Sequence, residues 1–199
     1  MLRLGRKCSF RQPWSAFHWV GRIESDCLRL SAPDSGRAEY APLRSPSEFK
    51  HHWTMFTIRR SRVDEGTRIV AIWRAAVDAT HDFLADEDRV AIESEVKDFL
   101  PQAPLWLAVD QVDRPLAFML MDGRHMEALF VDPAFHGRGV GAELVRHGLA
   151  LHPDMTTDVN EQNGQAIGFY ERMGFRRTGR SPRDGQGRPY PLIHLAYQN

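Results

Sequence analysis

The alternation of apolar and polar residues changes character near residue 55. Before that point no period of 2 or 3.6 is sustained. Pro13, Pro33, Pro42 and Pro46 punctuate the segment, and the run SAPDSGR reads as loop. Beyond it the pattern becomes regular. Met55–Arg59 predicts a short strand. Ile69, Ile72, Trp73, Ala76 and Val77 recur at helical spacing along one face. Ile92, Val96, Phe99 and Leu100 repeat that spacing in a second helix, which Pro101 stops. The apolar runs Leu105–Val109 and Leu116–Met121, joined by Gln-Val-Asp-Arg-Pro, predict a hairpin. A strand over Met126–Val131 then leads into HGRGVG and a helix from Val140 to about Ala150. A strand near Thr156–Val159, a helix ending at Met173 and two strands around an Asp184–Gly187 turn complete the series. The order is βααβββαβαββ, without internal repeat: residues 55–199 form one α/β domain, and residues 1–54 form an unpatterned extension.

Charge divides the chain at the same place. The 199 residues hold 26 Lys/Arg and 26 Asp/Glu, a formal net charge of zero. Residues 1–54 carry nine basic and five acidic side chains, a net of +4, and residues 55–199 carry 17 and 21, a net of −4. No Lys/Arg excess exists to neutralise a phosphate backbone, so a nucleic-acid partner is not expected. No run approaches the ~18 apolar residues of a membrane span, and Arg6, Lys7, Arg11 and Arg22 interrupt every candidate signal-peptide core. Cys8 and Cys27 suffice neither for a disulfide framework nor for a four-ligand zinc site. That cysteine usage makes a reducing cytoplasm the default address, and the histidines lack ligand spacing, so no metal is expected. Only Lys7, Lys50 and Lys97 are lysine, a bias towards arginine that suggests GC-rich coding. Such DNA has few stop codons, so residues 1–54 read either as a disordered arm or as an upstream misassignment of a start at Met55.

The most informative segment is FVDPAFHGRGVGAELVRHGLAL. A strand runs into Gly137, Gly139 and Gly141, and a helix starts at once. Glycines permit a tight turn and a close approach of backbone N–H groups to a ligand. The helix start adds unpaired donors and roughly half a positive charge. Together these make an anion cradle suited to a pyrophosphate. The nucleoside-triphosphate pattern GxxxxGK[ST] is absent, as is GxGxxG followed by an acidic ribose ligand.

Downstream stands Asn163-Gly-Gln-Ala166-Ile-Gly-Phe169-Tyr170-Glu-Arg-Met-Gly174-Phe175. Taken with the glycine loop, it resembles the GNAT family of acetyl-CoA-dependent N-acetyltransferases, whose patterns are Q/R-x-x-G-x-G/A and N-x-x-A-x-x-F-Y-x-x-x-G-F. His136 occupies the Q/R position, Gly139 and Gly141 match, and the second pattern matches in full. The resemblance covers residues 55–199. VDATHDFL, FLPQAPLW, DVNEQN and RPYPLIHLAY make it similar to the YjaB-type bacterial acetyltransferases in particular. It implies a GNAT fold: a mixed sheet of about seven strands with four helices, the fourth and fifth strands splayed apart. It further implies a pantetheine arm along the backbone of Leu129, Phe130 and Val131, touched by Asn163. The pyrophosphate would sit on the amides of Arg138, Gly139, Val140, Gly141 and Ala142, with His136 and Gly137 beside it.

Acetyl transfer to an amine needs a base for the ammonium proton and an acid for the departing thiolate. Tyr170 lies two helical turns from Asn163 and projects from the same face. A phenol with pKa near 10 suits a thiolate of about 8.5. His125 and Glu127, two apart on one strand, share a face and are the base candidates, with Glu127 preferred. His81 is a candidate for the acceptor pocket. Asp78 to Asp98 holds eight acidic and two basic residues, which would favour a cationic acceptor if it borders the pocket and otherwise marks solvated helix faces. The function expected is acetyl transfer from acetyl-CoA to a primary amine, protein lysine side chains among the acceptors. Small amines such as aminoglycosides, polyamines or amino acids are the enzymatic alternative, and a catalytically weak CoA-binding regulator is the other. The expected state is a monomer or homodimer.

Overall fold

The computed structural model describes residues 56–198. The expected extension, its two cysteines and the boundary at Met55 lie outside the described residues. Within them the element order follows the pattern read from the sequence: β1 (Phe56–Arg60), α1 (Gly66–Thr80), α2 (Asp86–Phe99), β2 (Trp106–Asp110), β3 (Pro115–Asp122), β4 (His125–Val131), α3 (Val140–Leu151), β5 (Thr156–Asn160), α4 (Gly164–Arg172), β6 (Phe175–Ser181) and β7 (Leu192–Tyr197). The seven strands form one sheet, ordered β1-β2-β3-β4-β5-β7-β6. All neighbours are antiparallel except β4 and β5, which run parallel.

Each helix follows from its sequence. In α1 the periodic residues Ile69, Ile72, Trp73, Ala76 and Val77 are all buried. The more polar α2 buries Ile92 and Val96, carries Asp86, Glu87 and Asp88 in its first turn and Lys97 in its last, and so complements its own dipole. These helices enclose one core with Leu107, Phe118 and Leu120 of the sheet. On the opposite face, α3 and α4 close a second core around Met119, Met126, Leu144, Val145 and Phe175. Strand β3, buried over Pro115–Leu120, serves both cores, which accounts for its unbroken apolar run. The predicted hairpin is closed by Asp110, whose Oδ1 accepts from the amides of Val112 and Arg114.

Two features depart from simple pairing, and both lie at the sheet centre. Strands β4 and β5 pair only at His125–Thr156 and Met126–Thr157, then diverge. This is the splay that the resemblance implied. In addition, Met121 pairs with Met126 while Leu120 pairs with Ala128, so Glu127 has no partner residue on β3. It is the extra residue of a β-bulge. The bulge turns the strand, so that Met126 packs in the α3–α4 core whereas Ala128 and Phe130 pack on the α1–α2 side. The last turn also differs from a tight hairpin. Asp184–Gly187 does close a turn, through Gly187 N–H to the Asp184 carbonyl at 3.0 Å, but it sits inside a longer loop between Ser181 and Leu192. No helix among the described residues is long and apolar enough to cross a membrane.

Candidate active site

The divergence of β4 and β5 opens a cleft through the sheet. On one side its mouth is the glycine loop. Gly137 and Gly139 have φ of 72° and 80°, a left-handed backbone that L side chains rarely adopt, and Gly139 is the N-cap of α3. Gly141 is needed for another reason: a Cβ there would stand 3.3 Å from Val131 Cγ2. The loop therefore lies close over β4 and aims the first amides of α3 outward. A cavity of about 440 Å³ runs along it, lined by Leu129, Phe130, Val131, His136, Gly137, Gly139, Val140, Gly141, Ala142, Asn163 and Tyr170. Of the residues expected to hold the co-substrate, only Arg138 is absent from this lining. Its guanidinium lies 5.3 Å from the centroid of the Phe135 ring. The His136 ring turns back to the Val131 carbonyl, 3.1 Å from Nε2. Asn163 caps α4, its Oδ1 accepting from Ala166 N–H at 3.0 Å.

Sequence reasoning missed several residues of the wall. Thr80, Phe135, Gln165, Phe169 and Arg172 also line this cavity. Arg172 is the Lys/Arg side chain of this lining, and its place in the last turn of α4, within the matched pattern, was the available signal.

A second cavity opens on the α1–α2 side of the same gap. Trp73, Val77, His81, Leu84, Glu127, Asp158, Asn160 and Tyr170 are among its lining residues. Tyr170, His81, Leu129, Phe130, Asn163 and Ala166 border both cavities, so the two are halves of one passage through the sheet. The Tyr170 ring is fixed edge-on between Phe169 and Phe175, with centroids 5.0 and 5.5 Å away. Burial pushes its phenol above the ordinary value, so it stays protonated across the physiological range.

Glu127 enters the second cavity because of the bulge. Burial, with smaller contributions from the charges of Asp122 and Asp158, lifts its carboxyl to about 7. That value matches a group that must take and release a proton near neutrality. His81, at the C-terminal end of α1, is pushed down to about 4 by burial, against the opposing charge of Asp82. It is therefore neutral at physiological pH. Its Nδ1 lies 2.7 Å from Thr80 Oγ1. His125 lies elsewhere: its Nδ1 stands 2.7 Å from Thr156 Oγ1, where β4 and β5 still pair, and it lines neither cavity.

Half of the eight acids between Asp78 and Asp98 are paired. Asp78 meets Arg89, Glu93 meets Arg74 and Lys97, and Arg188 from the β6–β7 loop lies among Asp88, Glu95 and Asp184. Tyr190 binds the same loop to α2 through Asp88 Oδ2 at 2.5 Å and the Ala85 amide at 3.0 Å. These contacts leave Asp82, Asp86 and Glu87 as the exposed acids at the α1–α2 turn.

Comparison with known proteins agrees with this architecture. Residues 101–177 match the family profile of the Acetyltransferase (GNAT) domain. The chain is 57% identical over 143 residues to the peptidyl-lysine N-acetyltransferase YjaB of Salmonella typhimurium, spanning 72% of this chain and 99% of that protein. The solution structure of apo-form YjaB from Escherichia coli superimposes with a TM-score of 0.69 at 57% identity, over 71% of this chain and 97% of the other. A Salmonella typhimurium protein, yncA, solved with acetyl-CoA, shares the fold at 20% identity and a TM-score of 0.50, over 72% of this chain and 93% of that one.

Proposed function

This chain belongs to the GNAT family of acetyl-CoA-dependent N-acetyltransferases, and on that footing we propose that it acetylates the ε-amine of lysine side chains in proteins, with Glu127 as base and Tyr170 as acid. The residues of the cleft fit the co-substrate. Between Leu129 and Val131 one edge of β4 has no strand partner, which leaves backbone donors and acceptors for an extended amide-bearing arm. The helix start at Gly139 and the Arg172 guanidinium suit its phosphates. When bound, acetyl-CoA supplies an activated acetyl thioester.

The chain's own groups do the rest. A lysine ammonium, pKa about 10.4, is only about one part in a few thousand deprotonated at pH 7. Glu127, lifted to about 7, is an effective acceptor for that proton. The freed amine then attacks the acetyl carbonyl. Tyr170 gives its phenolic proton to the departing sulfur and regains one from solvent. The apolar lining from Trp73, Val77 and Leu84 keeps water from competing as nucleophile. The carrying observation is that Glu127 and Tyr170 border one buried passage at the end of the β4–β5 gap. Extension to protein lysine rests on the relative named for that activity.

The test is turnover of acetyl-CoA with a lysine peptide, a bacterial protein extract and a panel of small amines, read by mass spectrometry. Acetylated ε-amines are expected. Tyr170→Phe should retain co-substrate binding and lose about 10²-fold in kcat. Acetylation confined to small amines would replace the acceptor assignment, and unchanged kcat in Tyr170→Phe would remove Tyr170 as acid.

A further inference from the structure

The sheet carries a second polar line that the acetyl-transfer reading leaves unused. On β5, Asp158 lies beside Glu127 in the cavity, its side chain only 6% exposed. Directly across on β7 is His194, whose Nδ1 stands 2.7 Å from Asp158 Oδ2. On the edge strand β6, Ser181 Oγ stands 2.8 Å from His194 Nε2. Three adjacent strands thus contribute a carboxylate, an imidazole and a hydroxyl in series. Gly179 makes room for it: a Cβ there would lie 3.1 Å from His194 Cδ2.

We propose that Ser181 and His194 position Asp158 as a second carboxylate of the acceptor cavity, so that Asp158 and Glu127 together receive the cationic head of the acceptor. This rests on the role assigned to Glu127. The imidazole fixes one carboxylate oxygen, and among the described residues His194 is the side chain paired with that carboxylate, which leaves Oδ1 for the acceptor ammonium. Ser181 engages the far ring nitrogen and so restricts ring rotation and tautomer. In the reaction one acceptor N–H bond breaks and one O–H bond forms on Glu127, while Asp158 neither gains nor loses a proton. The groups facing Glu127 are His81 from the end of α1, Asp122 from the end of β3, Asp158 from β5 and Tyr170 from α4. Among these neighbours Asp158 is the anion inside the cavity. Its charge makes Glu127 harder to ionise.

The sign of the test follows. Removing the Asp158 charge eases ionisation of Glu127, so the acidic limb of kcat/KM moves to lower pH. The purified protein is assayed from pH 5.5 to 9 with a lysine peptide and with an aromatic amine that is uncharged at neutrality. Asp158→Asn is expected to move the limb down by about half a unit. It should raise the peptide KM about tenfold, and leave the KM for acetyl-CoA and for the neutral amine within about twofold. His194→Gln should raise the peptide KM less strongly and Ser181→Ala least, with the limb left in place in both because the Asp158 charge remains. Should Asp158→Asn fail to fold, His194→Gln carries the test through the KM contrast between the charged and the neutral acceptor. An unmoved limb in Asp158→Asn, or equal KM changes for charged and neutral acceptors in either variant, overturns the proposal. Glu127→Gln separates the two assignments. If it turns over at the wild-type rate, the base assignment fails. If it is slow while Asp158→Asn leaves the limb in place, the positioning chain alone fails.

Discussion

Replacing Glu127 by Gln should make the protein more stable and less active, and both effects should depend on pH in a defined way. Its carboxyl rises from an ordinary 4.5 to about 7 because folding removes it from water. A lift of that size corresponds to roughly 3 kcal/mol of folding free energy forgone once the group is ionised in both states. Below pH 4.5 the carboxyl is protonated folded or unfolded, and no penalty exists. Between 4.5 and 7 the folded state binds more protons than the unfolded one, so stability falls as pH rises. Above 7 the whole penalty is present. Glutamine is nearly isosteric and carries no charge to desolvate. Denaturant unfolding of Glu127→Gln and wild type should therefore give near-equal stabilities at pH 4.5 and a gap of about 1–3 kcal/mol at pH 8 in favour of the variant. In the same samples turnover should fall by about 10²-fold or more, with the acidic limb of kcat/KM lost. A stability difference that stays flat from pH 4.5 to 8 would refute the burial argument, whatever the kinetics.

Substitutions at two further positions probe the co-substrate side. Gly139→Ala meets no neighbour within 4 Å but forces a side chain into φ of 80°, so it should cost about 1–2 kcal/mol in chemical unfolding and raise the KM for acetyl-CoA. Asn163→Asp keeps the acceptor oxygen that caps α4 and should unfold like wild type, whereas Asn163→Ala should lose about 1 kcal/mol; both should weaken co-substrate binding by calorimetry, because both remove the side-chain amide donor.

The order of elements was legible because each helix and most strands carry one unambiguous period, as in Ile69 to Val77. The glycine loop was legible because its backbone angles admit little but glycine. The bulge at Glu127 was not, since one unpaired residue leaves no mark on an apolar run such as HMEALFV and is decided by register with β3. The distance of His125 from the cavity was hidden for a related reason. Alternation assigns a face, but only the position along the strand, before or after β5 departs, decides whether that face meets the cleft. Asp158 and His194 stand 36 positions apart in the sequence, and only the placement of β7 between β5 and β6 joins them. Neutralisation of the acidic stretch depended likewise on Arg188, contributed by a loop from the opposite end of the domain.

The parting of β4 and β5 has a consequence for the protein's life without its co-substrate. A sheet split between its central strands has an inner edge as well as two outer ones, and backbone groups there that lack a strand partner are the usual template for unwanted pairing. A molecule that fills the gap from the proposed position would act as a missing strand. Tight occupancy at a hundred times its dissociation constant would add about 2.7 kcal/mol to the fold. Folding and acetyl-CoA supply are then one equilibrium: a cell short of the acetyl donor would hold a looser, more easily degraded population of this enzyme, and its abundance would follow the metabolite it consumes.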